Sequence, residues 1–196
     1  MFDQKFPILL ASGSPRRREY LERFGLQFDV ASTDIDESVR ASEEPIAYVR
    51  RMVEEKAQAF LSDATQDTVV LTADTLVLID GQILGKPEGQ TKVLPMLEQL
   101  NGKMHQVITG YGVFFEGKKH LREVVSQVWF RQNPKDLLAA YAKTDEPLDK
   151  AGSYSIQGLG TLLVEKIDGS YNNVVGLPVE ELLADLVNMH LLTPKV

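Results

Sequence analysis

The stretch Pro7–Phe24, PILLASGSPRRREYLERF, decides how the N-terminal part of the chain folds. Its first residues, Pro7–Ala11, form a short apolar run that is typical of a buried strand. Ser14 is suited to the N-cap of a following helix, Pro15 to its first position and Gly25 to its end. The stretch therefore predicts a strand, a loop of small residues and a helix.

The start of this predicted helix is suited to bind an anion, because its backbone N–H groups and the positive end of its dipole point out of the loop. Arg16, Arg17 and Arg18 follow at once, although cations in a first helical turn oppose the dipole. A bound phosphate would resolve this conflict; the alternative is a solvated basic helix face. Neither G-x-x-x-x-G-K-[ST] nor G-x-G-x-x-G occurs in this loop, which excludes those two nucleotide-binding motifs.

The composition is that of an acidic globular protein. A chain of 196 residues can bury one substantial core, and its formal net charge of -7 argues against a general nucleic-acid binder, which usually has a basic surface. The sequence contains no cysteine, which excludes disulfides and thiolate chemistry. No apolar run approaches the ~20 residues that cross a bilayer. We therefore expect a cytoplasmic protein with neither nucleic acid nor membrane as a partner.

Helical and strand patterns alternate along the rest of the chain. Four further helices are predicted, at Glu43–Leu61, Thr91–Leu100, Pro134–Lys143 and Pro178–Met189. Strands are predicted at Thr68–Ala73, Leu76–Ile79 and Thr161–Ile167, with hairpins around Asp80-Gly81 and Glu116-Gly117. Pro95 is expected near the start of its helix or at a kink, and Gly169–Pro178 is expected to form a polar loop. This alternation predicts an α/β fold with a mixed sheet flanked by helices.

Asp74 stands out because it lies inside the most apolar stretch of the chain, between Val69–Ala73 and Leu76–Ile79. An ionised carboxylate in such a place is costly unless a cation or hydrogen bonds compensate its charge. Buried carboxylates are usually paired or bound to metal, so the pattern favours a functional role. The alternative is an aspartate that caps backbone groups at the end of a strand.

Three other charged residues have an ordinary interpretation when each is taken alone. Lys86 lies between Gly85 and Pro87 and could be a solvated turn lysine, while Glu37 ends an acidic run that could be an exposed loop. Lys56 follows two glutamates on a predicted helix and could form an exposed ion pair. A functional role for these three residues is supported only when the motifs are considered together.

A run of small and polar residues, Asp149–Gly160, is the third candidate region for ligand binding. Ser153, Ser155 and Gln157 alternate in it as they would along one face of a strand, and its glycines permit a close approach of the backbone. We therefore expect Gln157 on an exposed strand edge that contacts a ligand.

Eight motifs, in the same order along the chain, resemble those of the Maf-type nucleoside triphosphate pyrophosphatases. They are LASGSPRR (10–17), DIDE (34–37), EKA (55–57), ADT (73–75), GKP (85–87), HQVITG (105–110), DKAGSYSIQG (149–158) and NVVGLP (173–178). The resemblance implies an inosine-triphosphatase-like α/β fold, with a twisted mixed sheet and two lobes around a cleft, in a single domain over residues 1–196. It also implies hydrolysis of a nucleoside triphosphate to the monophosphate and pyrophosphate.

Three positions indicate the subgroup of this family that acts on dTTP and UTP. That subgroup has Arg after Ser-Pro, Thr after the catalytic Asp and Gln in its IQG motif, as Arg16, Thr75 and Gln157 do here. The subgroup that acts on 7-methyl-GTP has Trp, Gln and Glu instead. A glutamine amide offers both a donor and an acceptor, which suits the imide edge of uracil or thymine. The resemblance thus implies dTTP and UTP, or modified pyrimidine nucleotides, as substrates, with Arg16, Thr75 and Gln157 setting the specificity.

The resemblance also assigns catalytic and metal-binding roles. Asp74 is expected to be the general base that activates water against the α-phosphorus. Asp74 and Glu37 are expected to hold a divalent metal, Mg²⁺ or Mn²⁺, since these hard cations prefer oxygen ligands.

The triphosphate itself is expected to contact cations and backbone N–H groups. The phosphate-binding residues implied by the resemblance are Ser12, Gly13, Ser14, Arg16, Lys56 and Lys86. An alternative function is that of a nucleotide-binding regulator of cell division and septum formation with incidental hydrolysis, because such a protein needs the same site. The sequence leaves the oligomeric state open, with a homodimer as the candidate assembly.

Overall fold

The computed structural model describes residues 1–62, 64–65 and 67–195. In this part of the chain, the strands are β1 (Phe2–Gln4), β2 (Ile8–Ala11), β3 (Phe28–Ala31), β4 (Val69–Ile79), β5 (Gln82–Leu84), β6 (Met104–Phe115), β7 (Lys118–Phe130), β8 (Val164–Asp168) and β9 (Leu192–Pro194). The helices are α1 (Pro15–Arg23), α2 (Pro45–Leu61), α3 (Gln90–Leu100), α4 (Lys135–Ala142), α5 (Tyr171–Val175) and α6 (Val179–Asn188). Turns of 3₁₀ helix cover Glu146–Asp149, Ala151–Ser153 and Leu159–Leu163.

The N-terminal strand-loop-helix is confirmed. β2 leads through a three-residue loop into α1, whose first residue is Pro15, and the chain leaves the helix with Gly25 at φ +73°. Ser14 occupies the N-cap position, although its side chain makes no capping hydrogen bond with the described residues. β2 pairs in parallel with both β3 and β4. Parallel neighbours need crossover connections, which α1 and α2 supply.

The described strands form a seven-stranded mixed sheet in the order β3-β2-β4-β6-β7-β8, with β5 added to β4. Both predicted hairpin turns are present: Asp80 and Gly81, and likewise Glu116 and Gly117, have positive φ at both positions, as two-residue turns of type I′ require. Separately, β1 and β9 form a two-stranded antiparallel ribbon with Phe2 opposite Pro194 and Gln4 opposite Leu192. The Lys195 N–H donates to the carbonyl oxygen of Met1 at 3.0 Å in continuation of this ribbon.

The chain divides into two compact units, each with its own core. Unit 1 contains Met1–Asp74, Thr109–Val124 and Gly176–Val196, and unit 2 contains Thr75–Ile108 and Val125–Val175. In unit 1, buried residues from β2, α2, β4 and β6 pack together. In unit 2, buried residues of α3 and α4 pack with the halves of the long strands that belong to this unit. The single domain over residues 1–196 stays a prediction.

Several local predictions are wrong. Leu159–Leu163 is a 3₁₀ turn, so β8 begins at Val164 rather than at residue 161, and the expected loop before α6 contains the short helix α5. The strand face expected for Ser153, Ser155 and Gln157 is absent from the described chain, because Gly152 (φ +69°) and Ser153 (φ +60°) turn the backbone out of the extended region. None of the described helices is long and apolar enough to cross a membrane.

Candidate active site

The sequence-predicted residues are distributed over both units, which we describe separately. The residues that belong to unit 1 are Ser12, Gly13, Ser14, Arg16, Glu37, Lys56 and Asp74. The residues that belong to unit 2 are Thr75, Lys86 and Gln157.

In unit 1, the candidate site residues include a lysine that bridges two carboxylates. Asp74 lies in the middle of β4 and is only 8% exposed, as its apolar flanks predict. The Nζ atom of Lys56, on α2, lies 2.6 Å from Asp74 Oδ1 and 2.8 Å from Glu37 Oε1. The lysine thus compensates the buried charge of Asp74 and brings the exposed Glu37 carboxylate to the same place.

The loop that carries Glu37 is held by α2. The Tyr48 hydroxyl donates to the carbonyl oxygen of Glu37 at 2.9 Å, and Arg51 Nη2 donates to that of Ser38 at 2.9 Å. Burial raises the pKa of Tyr48, and the negative charges of Asp74 and Glu37 raise it further. The phenol therefore remains a hydrogen-bond donor at any physiological pH, and α2 fixes Glu37 beside Lys56.

The buried Arg17 side chain connects three segments of unit 1 through hydrogen bonds. Its Nη1 donates to Ser12 Oγ at 3.0 Å and to the carbonyl oxygen of Ala73 at 2.7 Å, and its Nε donates to that of Gly176 at 2.9 Å. Burial lowers the pKa of Arg17, although nearby Asp74 opposes that shift. The guanidinium thereby fixes the loop before α1 against the residue that precedes Asp74.

The three predicted loop residues are partly engaged within the loop. The Ser12 N–H donates to the Leu10 carbonyl oxygen at 3.0 Å, and the Ser14 N–H donates to Ser12 Oγ at 3.3 Å. Ser12 Oγ thus accepts from both Ser14 and Arg17. The backbone N–H groups of both serines are therefore already engaged within this segment.

The residues predicted to hold a metal fit a hard divalent cation in donor type. Glu37 and Asp74 supply carboxylate oxygens, which Mg²⁺ and Mn²⁺ prefer, and the Lys56 ammonium already occupies a position bonded to both. Among the described residues, no group of three or more His, Cys, Asp or Glu could hold a metal ion. Two carboxylates suit Mg²⁺, which usually takes its other ligands from substrate phosphates and water.

In unit 2, the Gly85-Lys86-Pro87 turn and the Asp149–Gly158 segment are joined. The Gly152 N–H donates to the Gly85 carbonyl oxygen at 3.1 Å, and a Cβ at Gly152 would lie 2.9 Å from Val77 Cγ2. The glycine is therefore needed for this close approach. Lys86 and Gln157 are both exposed, whereas Thr75, the residue after Asp74, is partly buried.

Sequence reasoning missed the roles of Arg17 and Tyr48. Arg17 was grouped with its two neighbours, but Arg17, Tyr20 and Leu21 share the buried face of α1 while Arg18 pairs with Glu22 at the surface. Helical spacing was the signal that could have singled out Arg17.

Comparison with known proteins places the sequence in a family. The model of the family described as Maf-like protein matches residues 7–189. The chain belongs to the Maf family.

Two relatives illustrate how much of the chain is shared with known proteins. The chain is 44% identical over 174 residues to the dTTP/UTP pyrophosphatase of Vibrio vulnificus (strain YJ016), an alignment that covers 89% of this chain and 94% of the relative. It is 45% identical over 185 residues to the dTTP/UTP pyrophosphatase of Clostridioides difficile (strain 630). That alignment covers 93% of this chain and 94% of the relative.

Among solved structures, this Maf-family chain is similar to the Staphylococcus aureus Ham1 protein. The TM-score is 0.55 at 12% sequence identity, with 93% of this chain and 99% of that chain covered. At this identity, the likeness shows the fold alone. It confirms the predicted mixed α/β fold of the inosine-triphosphatase type.

Proposed function

We propose that this Maf-family protein hydrolyses dTTP and UTP to the corresponding monophosphate and pyrophosphate. The observation that carries this function is the buried Asp74 carboxylate, bonded to Lys56 and linked through it to Glu37. The relatives from Vibrio vulnificus and Clostridioides difficile, both dTTP/UTP pyrophosphatases, support the choice of substrate. Arg16, Thr75 and Gln157, the three residues expected to set specificity, support it as well.

In the proposed reaction, Asp74 acts as the general base. Its carboxylate takes a proton from a water molecule while the water oxygen forms a bond to the α-phosphorus. The bond between the α-phosphorus and the oxygen that bridges to the β-phosphorus breaks, and pyrophosphate leaves with that oxygen. Lys56 fixes the orientation of the carboxylate and places a positive charge beside it.

Charge neutralisation is the other requirement, because a triphosphate carries several negative charges and positioning dominates catalysis of this class. Arg16, Lys56 and Lys86 bind the phosphates, together with the loop of Ser12, Gly13 and Ser14. Glu37 and Asp74 would hold Mg²⁺ or Mn²⁺, which supplies further positive charge to the phosphate oxygens when bound.

Nucleotide recognition is assigned to Gln157 and Thr75. The exposed Gln157 amide can donate to O4 of uracil or thymine and accept from N3–H. A homodimer and a cytoplasmic location stay predictions from the sequence, and sedimentation and cell fractionation test them.

The test is a panel of nucleoside triphosphates assayed for pyrophosphate release, with Mg²⁺ or Mn²⁺ and with excess EDTA. We expect dTTP and UTP to be the best substrates, release of pyrophosphate rather than orthophosphate, and loss of activity in EDTA that either metal restores. Release of orthophosphate, or a purine preference, would contradict the proposed reaction. Full activity in EDTA after dialysis would contradict the metal role of Glu37 and Asp74.

A further inference from the structure

The loop of residues 155–160, which we name the Gln157 loop, is held at both ends by one tyrosine–glutamate pair in unit 2. The Tyr141 hydroxyl donates to Glu146 Oε1 at 2.9 Å. At the start of the loop, the Ser155 N–H donates to the Tyr141 oxygen at 3.1 Å. At its end, the Leu159 N–H donates to Glu146 Oε2 at 2.8 Å and the Gly160 N–H donates to Oε1 at 2.9 Å.

Two glycines let the backbone come this close to the pair. A Cβ at Gly158 would overlap the Glu146 carboxylate, and a Cβ at Gly160 would lie 2.8 Å from the Tyr141 oxygen. Inside the loop, the Gln157 N–H donates to Ser155 Oγ at 3.2 Å. Ser155 before Gln157, and Leu159 and Gly160 after it, are therefore fixed by hydrogen bonds that converge on two side chains.

The pKa values of Tyr141 and Glu146 keep both side chains in the protonation states that these hydrogen bonds require. The pKa of Glu146 lies below its usual value: burial raises it, but the hydrogen bonds from Gly160, Leu159 and Tyr141 together outweigh burial. Burial raises the pKa of Tyr141, and its hydrogen bond to Glu146 acts in the same direction. At neutral pH the carboxylate accepts all three hydrogen bonds and the phenol both donates and accepts one.

Gln157 itself is exposed, so the direction of its side chain depends on its backbone more than on packing. We propose that Tyr141 and Glu146 are positioning residues for Gln157 and thereby determine the preference for a pyrimidine nucleotide. Because Gln157 reads the base only if the proposed function holds, this role rests on that function. A displacement of about 1 Å at a substrate-orienting group can cost on the order of a hundredfold in rate.

Two conservative variants break the hydrogen bonds of this pair without touching Gln157. Tyr141→Phe removes the bridge between the two ends of the loop, and Glu146→Gln places an amide NH₂ group against backbone donors. In each, we expect the ratio of kcat/KM for UTP to that for GTP to fall about tenfold, mainly through a higher KM for UTP, since the base contact is made in the ground state. Hydrogen exchange at the amides of Ser155, Leu159 and Gly160 should become faster.

The chain offers a matched control in a second tyrosine–carboxylate pair. The Tyr111 hydroxyl donates to Asp185 in unit 1, and both residues are buried. Tyr111→Phe and Asp185→Asn should lower stability but leave both the UTP/GTP ratio and exchange in the Gln157 loop unchanged. If the role of Tyr141 and Glu146 were merely structural, Tyr141→Phe and Glu146→Gln would likewise lower stability and leave the UTP/GTP ratio unchanged.

A double-mutant cycle with Gln157→Ala completes the test. In that background, Tyr141→Phe should cause no further change in the UTP/GTP ratio, because the residue it positions is gone. Wild-type protein that does not prefer UTP over GTP would overturn the proposed function and the positioning role with it. A wild-type preference that persists in both Tyr141→Phe and Glu146→Gln would overturn the positioning role alone.

Discussion

Two buried charges of unit 1, Asp74 and Arg17, differ in what surrounds them. Asp74 accepts a hydrogen bond from Lys56, a side chain that also reaches the exposed Glu37. Arg17 instead donates to two backbone carbonyl oxygens and a serine hydroxyl. Substitution of Asp74 should therefore impair chemistry, whereas substitution of Arg17 should impair folding.

Asp74→Asn is expected to reduce turnover on the order of a hundredfold or more while the protein stays folded. Asparagine has the same shape as aspartate but cannot accept the proton, and Lys56 keeps Glu37 as a partner. Steady-state kcat for UTP and a circular dichroism spectrum are the measurements. A folded variant with near-wild-type kcat would exclude Asp74 as the base; a cellular effect that survives the loss of turnover would favour the regulatory alternative.

Arg17→Lys is expected to lower the free energy of unfolding by about 2–4 kcal/mol. Lysine lacks the guanidinium fork, so the carbonyl groups of Ala73 and Gly176 cannot both keep a buried donor. Urea unfolding at constant m-value measures the change. Arg18→Lys is the matched control: its exposed pair with Glu22 should contribute less than about 0.5 kcal/mol. Equal losses in the two variants would contradict the structural role of Arg17.

Among the elements, helix α3 is unusual because it contains a proline at an interior position, where proline disfavours a helix. Pro95 is the sixth residue of this helix, where it has no N–H for the carbonyl group of Thr91 and its ring crowds the preceding turn. The helix persists because Val93, Leu97 and Leu100 are fully buried in the core of unit 2. Tertiary packing therefore overrides local propensity at this position.

Pro95→Ala should raise the free energy of unfolding by about 1–2 kcal/mol, since it restores the helical hydrogen bond at the cost of a more flexible unfolded chain. Pro45→Ala is the control, because Pro45 is the first residue of α2, a position that suits proline. That variant should give no gain. Thermal unfolding compares the two variants, and destabilisation by Pro95→Ala would contradict the unfavourable effect ascribed to Pro95.

Elements that are determined by residues close to one another in the sequence could be predicted from it. Pro15 and Gly25 delimit α1 through their own backbone preferences, and the apolar residues around Asp74 indicated its burial. β3 gives no such signal, because it lies at the sheet edge with Val30 46% exposed. The turns around the Gln157 loop depend on Glu146, thirteen residues before Leu159, so no local pattern specifies them.

For the whole molecule, the buried His105 links stability to pH. Burial lowers the pKa of His105 to about 4, and its Nε2 shares a hydrogen bond of 2.8 Å with the Tyr154 hydroxyl. Below the ordinary histidine pKa of about 6.5, the unfolded chain binds a proton that the folded chain does not bind until about pH 4. The stabilising contribution is therefore complete above pH 6.5 and is lost as the pH falls through this window.

We expect this histidine to account for about 2 kcal/mol of unfolding free energy lost between pH 7.5 and pH 5. His105→Gln should flatten the profile by that amount, while His190→Asn, at an exposed position with φ +59° that asparagine tolerates, should not. Denaturant unfolding at the two pH values measures the difference. Identical profiles for wild type and His105→Gln would contradict the assignment.

The ribbon of β1 and β9 places two segments that are distant along the sequence side by side. With Phe2 opposite Pro194 and the Lys195 N–H bonded to the Met1 carbonyl oxygen, a linker of a few residues could join the two strands covalently. The exposed turn at Glu116-Gly117 could then serve as a new opening. A covalent link between β1 and β9 would restrict the unfolded ensemble and leave the folded strands unchanged, so its stabilising effect would come from the unfolded state.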